Sequence, residues 1–320
     1  MPAVSVIVPV YKVEPYAARC AMSLFGQTLE DMEFIFIDDC SPDGSMEIIR
    51  NVLETEFPSR KPQVKFYRMP QNSGQAKVRM KGIELSTGEY VIHCDSDDEA
   101  EPDAYRSLYA KAIEGDYDIV TCDFWIGNEG GWRRKSSGSE PGKAVSDIMC
   151  GRVMGSLWSR LIRRTLLQDL VPPAANMAED AVLVLQATLR AKRIAHLPEP
   201  LYRYYVRTDS ISGRQGLEPA LERWSYMYAN AKVAVGVLED KYGFAPDNPD
   251  VVMYKYSTRA YLLPFINKAG VYEKWRNTFP EVDSVLLKTK GVPSDTKFWF
   301  VLIHLRLYHP WKVLTGKARC

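Results

Sequence analysis

Acidic side chains follow two apolar runs in this sequence, and the second group is the better placed for chemistry. Asp95 and Asp97 form a D-x-D arrangement within the segment Tyr90 to Asp98. Two carboxylates at this spacing can hold one hard divalent cation, which prefers oxygen ligands and keeps positions open for water and phosphate. The pattern predicts that Asp95 and Asp97 bind Mg²⁺ or Mn²⁺ and that the metal holds a diphosphate.

Other interpretations of this cluster differ in how well the sequence fits them. A calcium loop counted from Asp95 requires Gly at its sixth position and Glu at its twelfth, but Ala100 and Arg106 stand there, so the sequence excludes it. A phosphatase site with Asp95 as nucleophile and Asp97 as acid stays open, although it assigns no role to the acidic residues that follow the first apolar run. Acidic decoration of a surface loop also stays open.

The first acidic group closes the segment FIFIDD, Phe34 to Asp39. Apolar runs that end in paired carboxylates are typical of buried parallel strands, and open α/β sheets bind ligands at the carboxyl ends of such strands. We therefore expect both groups at one sheet edge, with a phosphorylated ligand and a metal.

A third acidic pair, Glu179 and Asp180, precedes the apolar run Ala181 to Leu185. The positive end of a helix keeps carboxylates in its first turn ionised, so they can accept hydrogen bonds or protons. Helix capping for stability alone is the open alternative.

The elements that position these groups alternate between strand and helix. The predicted strands are Val4 to Val8, Phe34 to Asp38, Val64 to Arg68, the run before Asp95, Asp118 to Phe124 and Leu201 to Val206. The predicted helices are Pro15 to Phe25, Met46 to Phe57, Ala76 to Ser86, Pro102 to Glu114 and Met177 to Arg193. This order predicts an α/β fold with a doubly wound, mostly parallel sheet. Residues 127–142 are expected to form an exposed loop over the ligand edge.

The alternation stops beyond Gly216, where long helical patterns replace it. They are Leu217 to Asp240, Val251 to Lys268 and Lys297 to His309. We expect a boundary near residue 215, with a catalytic domain over 1–215 and a helical C-terminal region over 216–320.

Composition narrows the function classes. The 320 residues are 46% apolar, and 41 Lys and Arg nearly balance 40 Asp and Glu, so no overall charge attracts nucleic acid. Six cysteines without C-x-x-C spacing argue against a zinc site and a disulfide framework, and favour the cytosol. No basic segment precedes the apolar start and Pro9 interrupts it, so we expect no secretory signal.

Six segments in order resemble the family 2 glycosyltransferases of the GT-A fold, inverting enzymes that use nucleotide-activated sugars. They are VSVIVPVYKVEPY, FIFIDDCSPDGS, QNSGQAKVRMKGIELSTGEYVIHCDSDD, GSLWSRLIRRTLL, MAEDAVL and YRYYVRTDSIS, within residues 3 to 215. Three positions depart from the family's pattern. Val78 and Met80 flank Arg79 where Ala and Asn are frequent, and Arg160 stands where Lys is frequent.

The resemblance implies a role for each candidate residue. A base and ribose pocket is implied at Pro9, Val10, Tyr11 and Asp39, with Arg79 near the nucleotide. Asp95 is implied beside the ribose and metal, with Ser96 next to it and Asp97 on the metal, and Asp180 is implied as the catalytic base. Glu179 is expected to orient the acceptor or cap the helix. Arg207 is expected to help neutralise the leaving diphosphate, with a surface cation as the alternative.

These roles imply metal-dependent, inverting transfer of a sugar from a nucleoside-diphosphate donor, with UDP expected, to a saccharide or lipid-linked saccharide during surface polysaccharide synthesis. A non-catalytic nucleotide-sugar-binding or carbohydrate-binding homologue and a Mg²⁺-dependent phosphohydrolase stay open as alternatives. A Rossmann dehydrogenase is excluded, because VYKVEP follows the first strand without a glycine-rich phosphate loop. The sequence leaves the sugar, the acceptor and the oligomeric state open.

The segment Phe298 to Trp311 is apolar and aromatic, and lies in a basic tail. It is shorter than the about 20 apolar residues that a bilayer span needs. We expect a cytoplasmic protein that lies peripherally on the inner face of the plasma membrane, with this helix in an anionic headgroup layer. A helix packed on the catalytic domain is the alternative.

Overall fold

The computed structural model describes residues 1–128, 130–207 and 214–307, and within those ranges nine strands form one sheet. The strands are β1 (Val4–Val10), β2 (Met32–Asp38), β3 (Val64–Arg68), β4 (Tyr90–His93), β5 (Glu99–Ala100), β6 (Ile119–Asn128), β7 (Gly131–Lys135), β8 (Arg160–Arg163) and β9 (Ile194–Tyr205). Their order across the sheet is β3-β2-β1-β4-β8-β6-β9-β5, and β7 pairs with β6.

The predicted mostly parallel sheet is confirmed. Strands β1 to β4 run in parallel, and β8 lies antiparallel between β4 and β6. Because β6 is antiparallel to β8, it and its parallel neighbour β9 run in the direction of the first four strands. Six of the nine described strands therefore point the same way, and their carboxyl ends share one side of the sheet.

Helices cover both faces of this sheet. The α-helices in the described ranges are α1 (Glu14–Phe25), α2 (Ser45–Thr55), α3 (Gln75–Leu85), α4 (Ala104–Glu114), α5 (Ala144–Met149), α6 (Glu179–Arg190), α7 (Leu217–Gly236), α8 (Pro249–Ser257), α9 (Val271–Asn277), α10 (Val282–Val285) and α11 (Ser294–His304). Val6 and Val8 of β1 belong to the core with α1, α2 and α4, whereas Ile7 belongs to the core with α3 and α6. The strands are apolar at successive positions because both of their faces are buried.

The register of the strands brings the acidic groups together. Val10 at the end of β1 pairs with Asp38 at the end of β2, and Ile7 of β1 pairs with His93 at the end of β4. The residues that follow β2 and β4 therefore leave the sheet at the same edge. Asp39 is the first residue after β2, and Asp95 is the second residue after β4.

The expectation of an exposed loop over residues 127–142 is partly wrong. Strand β6 extends to Asn128, and β7 pairs with it as the second strand of a hairpin; residue 129 lies outside the described residues. The sequence Gly131 to Lys135 is rich in charge because this edge strand is mostly exposed. Strand β9 also begins earlier than predicted, at Ile194, and Pro198 and Pro200 lie within it near a register shift.

The C-terminal helices have a third apolar core of their own, which includes Trp275, Leu262 and Phe300. The helix predicted from Val251 to Lys268 is shorter, because α8 ends at Ser257 and a 3-10 helix, Ala260–Phe265, follows. Helix α7 packs on α6 of the sheet domain. The boundary near residue 215 stays a prediction.

Helix α11 has one buried and one exposed side. Phe300 and Ile303 are buried in the C-terminal core, whereas Val301 and Leu305 are exposed, Leu305 to 60%. Residues 308–311 of the predicted aromatic helix lie outside the described residues. No helix among the described residues has the length and apolar character that crossing a bilayer requires.

Asn230 of α7 connects the helical region to the loop that precedes α6. Its side-chain oxygen accepts from the backbone N–H of Ala174 at 2.7 Å and of Ala175 at 3.1 Å. Its Nδ2 donates to the carbonyl oxygens of Ala175 at 2.9 Å and Met177 at 2.7 Å. Asn230 is fully buried, so these four backbone groups depend on it for their hydrogen bonds.

We expect Asn230→Ala to lower the free energy of unfolding by about 2–4 kcal/mol, because buried backbone groups lose their partners. Urea denaturation measures the change. Asn51→Ala, on the exposed side of α2, is the control and should stay within about 0.5 kcal/mol of the parent. Equal stability of the two variants would contradict the role of Asn230.

Candidate functional site

Arg79 of α3 lies at the centre of the sheet edge, where it is only 2% exposed. Its Nη2 donates to Oδ1 of Asp95 at 2.8 Å, and its Nε donates to Oε1 of Glu179 at 3.2 Å. Its Nη1 lies 3.4 Å from Nδ1 of His93. One guanidinium therefore joins α3, the end of β4 and the start of α6.

The charges around Arg79 set the protonation of its neighbours. Burial lowers the pKa of Arg79, but Asp95 and Glu179 raise it by more, so the guanidinium stays charged. Burial, followed by the Arg79 charge, lowers the pKa of His93 well below its usual value. His93 is therefore neutral at pH 7, and its Nε2 has no hydrogen-bond partner within the described ranges.

Asp180 is the second residue of α6, and its position depends on the turn before it. Ala178 takes a left-handed conformation, with φ of 61°, which turns the chain into the helix. Burial and the neighbouring Glu179 carboxylate raise the pKa of Asp180 to about 7, against the opposing effect of Arg79. A carboxylate with this pKa is suited to take a proton from a hydroxyl at neutral pH.

Asp97 forms an ion pair with Arg207, whose Nη1 lies 2.8 Å from Oδ2. Burial and the nearby Asp95 charge raise the pKa of Asp97, and Arg207 opposes this. The Arg207 guanidinium lies over the ring of Tyr16, 4.3 Å from its centroid. The remaining residues of the sixth segment, 208–212, lie outside the described residues.

Arg19 of α1 anchors the D-x-D loop from the other side. Its Nη2 donates to the backbone oxygen of Asp97 at 2.7 Å, and its Nε lies 2.7 Å from Oε1 of Glu99. It also lies over the ring of Tyr205, 3.5 Å from the centroid. Sequence reasoning did not assign Arg19, because nothing in the α1 pattern distinguishes it from a surface cation.

Asp98 is a second residue that sequence reasoning missed. Its carboxylate accepts from the Tyr202 hydroxyl at 2.9 Å and from the backbone N–H of Tyr205 at 2.8 Å. The Tyr202 hydroxyl accepts in turn from the Asp95 N–H at 3.0 Å. Asp98 is buried, and it fixes the loop to β9 rather than facing the cleft. The DSDD run was the available signal, but only the fold reveals which carboxylates face inward.

The Asp39 carboxylate holds the loop that precedes α3. It accepts from the backbone N–H of Ser73 at 2.7 Å and of Gly74 at 2.8 Å. Gly74 has φ of 82°, and a Cβ there would lie 2.1 Å from Nδ2 of Asn176. Glycine is therefore required, and the loop reaches the segment before α6 through this close approach.

The remaining predicted donor-pocket residues also lie at this edge. Pro9 and Val10 end β1, and Val10 is fully buried, with its carbonyl oxygen accepting from the Asp39 N–H at 3.0 Å. Tyr11 follows and is 41% exposed, with its ring available for stacking. Ser96 is buried within the D-x-D loop.

The structure thus brings Arg79, Asp95, Glu179 and Asp180 into one cluster, with Asp97 and Arg207 beside it. Among the described residues, no three His, Cys, Asp or Glu side chains form a metal site. Asp95 and Asp97 offer two carboxylates, and Mg²⁺-type ions bind through one or two carboxylates together with substrate phosphates. This donor set fits a divalent cation that binds together with a diphosphate.

Comparison with known proteins identifies the family. The model of "Glycosyl transferase family 2" matches residues 5–174, more than half of the chain. EpsH of Bacillus subtilis is a glycosyltransferase by name; it is 30% identical over 227 residues, which are 67% of this chain and 63% of EpsH. The poly(ribitol-phosphate) beta-glucosyltransferase of Bacillus spizizenii is 29% identical over 243 residues, which are 74% of this chain and 36% of that protein. The matched regions thus span less than two thirds of these relatives.

Among solved structures, residues 1–349 of S. aureus TarS in complex with UDP-GlcNAc resemble this chain with a TM-score of 0.70. The two are 20% identical, and the match covers 98% of this chain and 90% of that one. This similarity confirms the GT-A-type fold, with a curled, mostly parallel sheet and helices at the C-terminus. On the match to its family model, the chain belongs to glycosyl transferase family 2.

Proposed function

We propose that this chain transfers a sugar from a nucleoside-diphosphate donor to a hydroxyl of a saccharide or lipid-linked saccharide, with inversion at the anomeric carbon. The cluster in which Arg79 holds Asp95 and Glu179, with Asp180 beside them, carries the proposal. UDP is the proposed nucleotide, because TarS has been crystallised with UDP-GlcNAc. The poly(ribitol-phosphate) relative supports a role in surface polysaccharide synthesis.

Asp180 acts as the base in this proposal. The acceptor oxygen forms a bond to the anomeric carbon while the bond from that carbon to the diphosphate oxygen breaks, and the hydroxyl proton passes to the Asp180 carboxylate. A positioned base of this kind contributes about 10²- to 10⁴-fold to the rate. Glu179 is engaged by Arg79 at 3.2 Å, so we assign it to holding Arg79 rather than to the acceptor.

The departing diphosphate requires positive charge. Arg207 forms an ion pair with Asp97 at the edge where the phosphates are proposed to bind. Its positive charge can stabilise the departing diphosphate. Asp97 and Asp95 would hold Mn²⁺ or Mg²⁺, which supplies Lewis-acid stabilisation of the phosphates when bound. The raised pKa of Asp97, caused by burial and by Asp95, is consistent with a carboxylate pair that favours a cation.

The donor base and ribose are proposed to lie over the ends of β1 and β2. Pro9, Val10, Tyr11 and the Asp39 loop are proposed to form this position, together with Ser96 of the D-x-D loop. Asp39 accepts two backbone hydrogen bonds, which hold its carboxylate in one orientation beside the pocket.

We assign sugar transfer to residues 1–215. We assign support of that domain and its attachment to the membrane to residues 216–320. The exposed Val301 of α11 and Leu305 just after it, followed by a basic tail, suit the headgroup layer of an anionic membrane. A cytoplasmic protein held peripherally at the inner face of the plasma membrane would meet a lipid-linked acceptor there.

Asp180→Asn should lower transfer by about 10²- to 10⁴-fold and leave UDP binding unchanged, because the base is lost and the donor pocket is not. UDP release with acceptor present measures transfer, and calorimetry measures UDP affinity. Asp247→Asn, at an exposed position, is the control. Turnover at the parent rate would remove Asp180 from the mechanism.

The pH dependence provides a second check on Asp180. The base is active when unprotonated, so kcat/KM should rise about tenfold per pH unit below about pH 7 and level off above it. A folded-state pKa of about 7 exceeds the unfolded value of about 3.9, so stability falls as pH rises between them. Asp180→Asn removes this penalty, and its melting temperature at pH 8 should not lie below that of the parent.

Chelation with EDTA should abolish transfer, and Mn²⁺ should restore it, because the diphosphate loses its main counter-charge. Asp97→Asn should raise the Mn²⁺ concentration for half-maximal rate by about tenfold or more. Asp103→Asn, at an exposed position, is the matched control and should respond as the parent does. Full activity in EDTA would exclude metal dependence.

The full chain should sediment with vesicles that contain anionic lipid, and less with neutral vesicles, since apolar and basic groups act together. Val301→Ser with Leu305→Ser should release most of it. Ile113→Ser, at an exposed apolar position on α4, is the control. Recovery of the parent wholly in the supernatant would disprove membrane attachment.

A further inference from the structure

A cavity of about 590 Å³ lies where α5 and α6 cover the sheet, outside the carboxylate cluster. Its lining includes Thr121, Ser137, Ala144, Arg160 and His196. Exposed residues such as Gly142 also line it, so it opens to solvent. Sites for small ligands occupy about 300–1,000 Å³, so the cavity is large enough for a saccharide.

Arg160, the first residue of β8, is the only buried cation in its lining, at 2% exposure. Its Nη1 donates to the Ser156 carbonyl oxygen at 2.6 Å and to the Ser159 hydroxyl at 3.1 Å. These acceptors are neutral. Across the described residues, Arg160 has no carboxylate within ion-pair distance, and its Nε and Nη2 have no hydrogen-bond partner.

The other two buried arginines in the described part of the chain differ in this respect. Arg79 is paired with Asp95 and Glu179, and Arg259 is paired with Asp283 at 2.7 Å. Burial of a charge is costly unless an opposite charge compensates it. Among the described residues Arg160 has no carboxylate within ion-pair distance; Asp180 acts on it only from farther away, and the guanidinium lines a cavity.

The charge of Arg160 persists despite its burial. Burial lowers the pKa of Arg160 to about 10, and Asp180 acts against this change. At neutral pH the guanidinium is therefore protonated. The carboxylate in the lining, Glu140, already pairs with Lys143, so it does not neutralise the cavity.

Hydroxyl and imidazole side chains also line the cavity, and so do the exposed cations Lys192 and Arg193. The Ser137 hydroxyl donates to the Ser159 hydroxyl at 3.0 Å, and Thr121 Oγ1 lies 2.9 Å from His196 Nδ1. Hydroxyl and imidazole groups can hydrogen-bond both to an anion and to sugar hydroxyls. Apolar Ile148 and Ala144 form the α5 side of the cavity.

We propose that this cavity binds a saccharide-sized ligand that carries a phosphate or carboxylate, with the anionic group on Nε and Nη2 of Arg160. The fork of a guanidinium matches both anions. In the transfer reaction the ligand is the charged part of the acceptor, since the register of β8 on β4 places Arg160 level with His93, which lies beside Arg79 of the carboxylate cluster. That assignment rests on the proposed function; the binding site itself does not.

The full-length protein, saturated with UDP and Mn²⁺, is titrated with glucose 1-phosphate, inorganic phosphate and glucose by calorimetry. Saturable binding of glucose 1-phosphate, weaker binding of phosphate and no binding of glucose support the site. Equal affinity for phosphate and glucose 1-phosphate overturns the saccharide part of the proposal. The absence of glucose 1-phosphate binding overturns the site as a whole.

Arg160→Gln should weaken glucose 1-phosphate binding about 10- to 100-fold, as expected for loss of a charge-assisted contact. Arg163→Gln is the matched control, because Arg163 lies on the same strand but pairs with Asp118, Asp116 and Glu89. Ala144→Trp fills the cavity but leaves Arg160 in place, and it should also abolish binding of glucose 1-phosphate. This second variant tests the site even if Arg160→Gln does not fold. Unchanged affinity in Ala144→Trp overturns the proposal.

Failure of this site and failure of the proposed function give different results. If UDP does not bind, the transferase proposal fails, and the Arg160 titration can be repeated without UDP. If UDP binds but glucose 1-phosphate competes with it, the anion lies in the donor cleft, and the separate cavity site is overturned.

Discussion

The burial of one guanidinium between two carboxylates is the constraint on which the site depends. A charge as deeply buried as that of Arg79 persists because Asp95 and Glu179 compensate it, and each contact fixes a different element. Helix α3 contributes the cation, the loop after β4 contributes one anion, and α6 contributes the other. The D-x-D loop and the start of α6 therefore cannot shift independently without leaving a buried charge unpaired.

The same arrangement gives two adjacent acidic residues different tasks. Glu179 is buried against Arg79, so its charge is compensated and its orientation is fixed. Asp180 lies beside that carboxylate in a partly buried position, and its pKa rises because burial and the like charge of Glu179 both disfavour ionisation. Environment, rather than residue type, separates the positioning group from the proposed base.

Local patterns predicted the parts of the fold that depend on local burial. The fully buried runs of β1 and β2 were recognisable because apolar residues fill both of their faces. Strand β8, with only four residues, has no such signature and becomes a strand through its neighbours β4 and β6. Local sequence patterns also could not predict the contacts of Asp98 and Asn230, because their hydrogen-bond partners lie far away in the sequence.

Strand β8 also explains why a second buried arginine lies close to the first. It runs antiparallel to β4, and Val91 pairs with Ile162, so the register continued by two residues brings Arg160 level with His93. Side chains alternate along a strand, so both face the α6 side with Val91 and Ile162. Arg160 pairs across the sheet with Thr121, and Thr121 pairs with His196. A row of polar residues thus leads from the Arg79 cluster into the cavity. The row lies on the sheet face that α6 covers, and Asp180 is at the start of that helix.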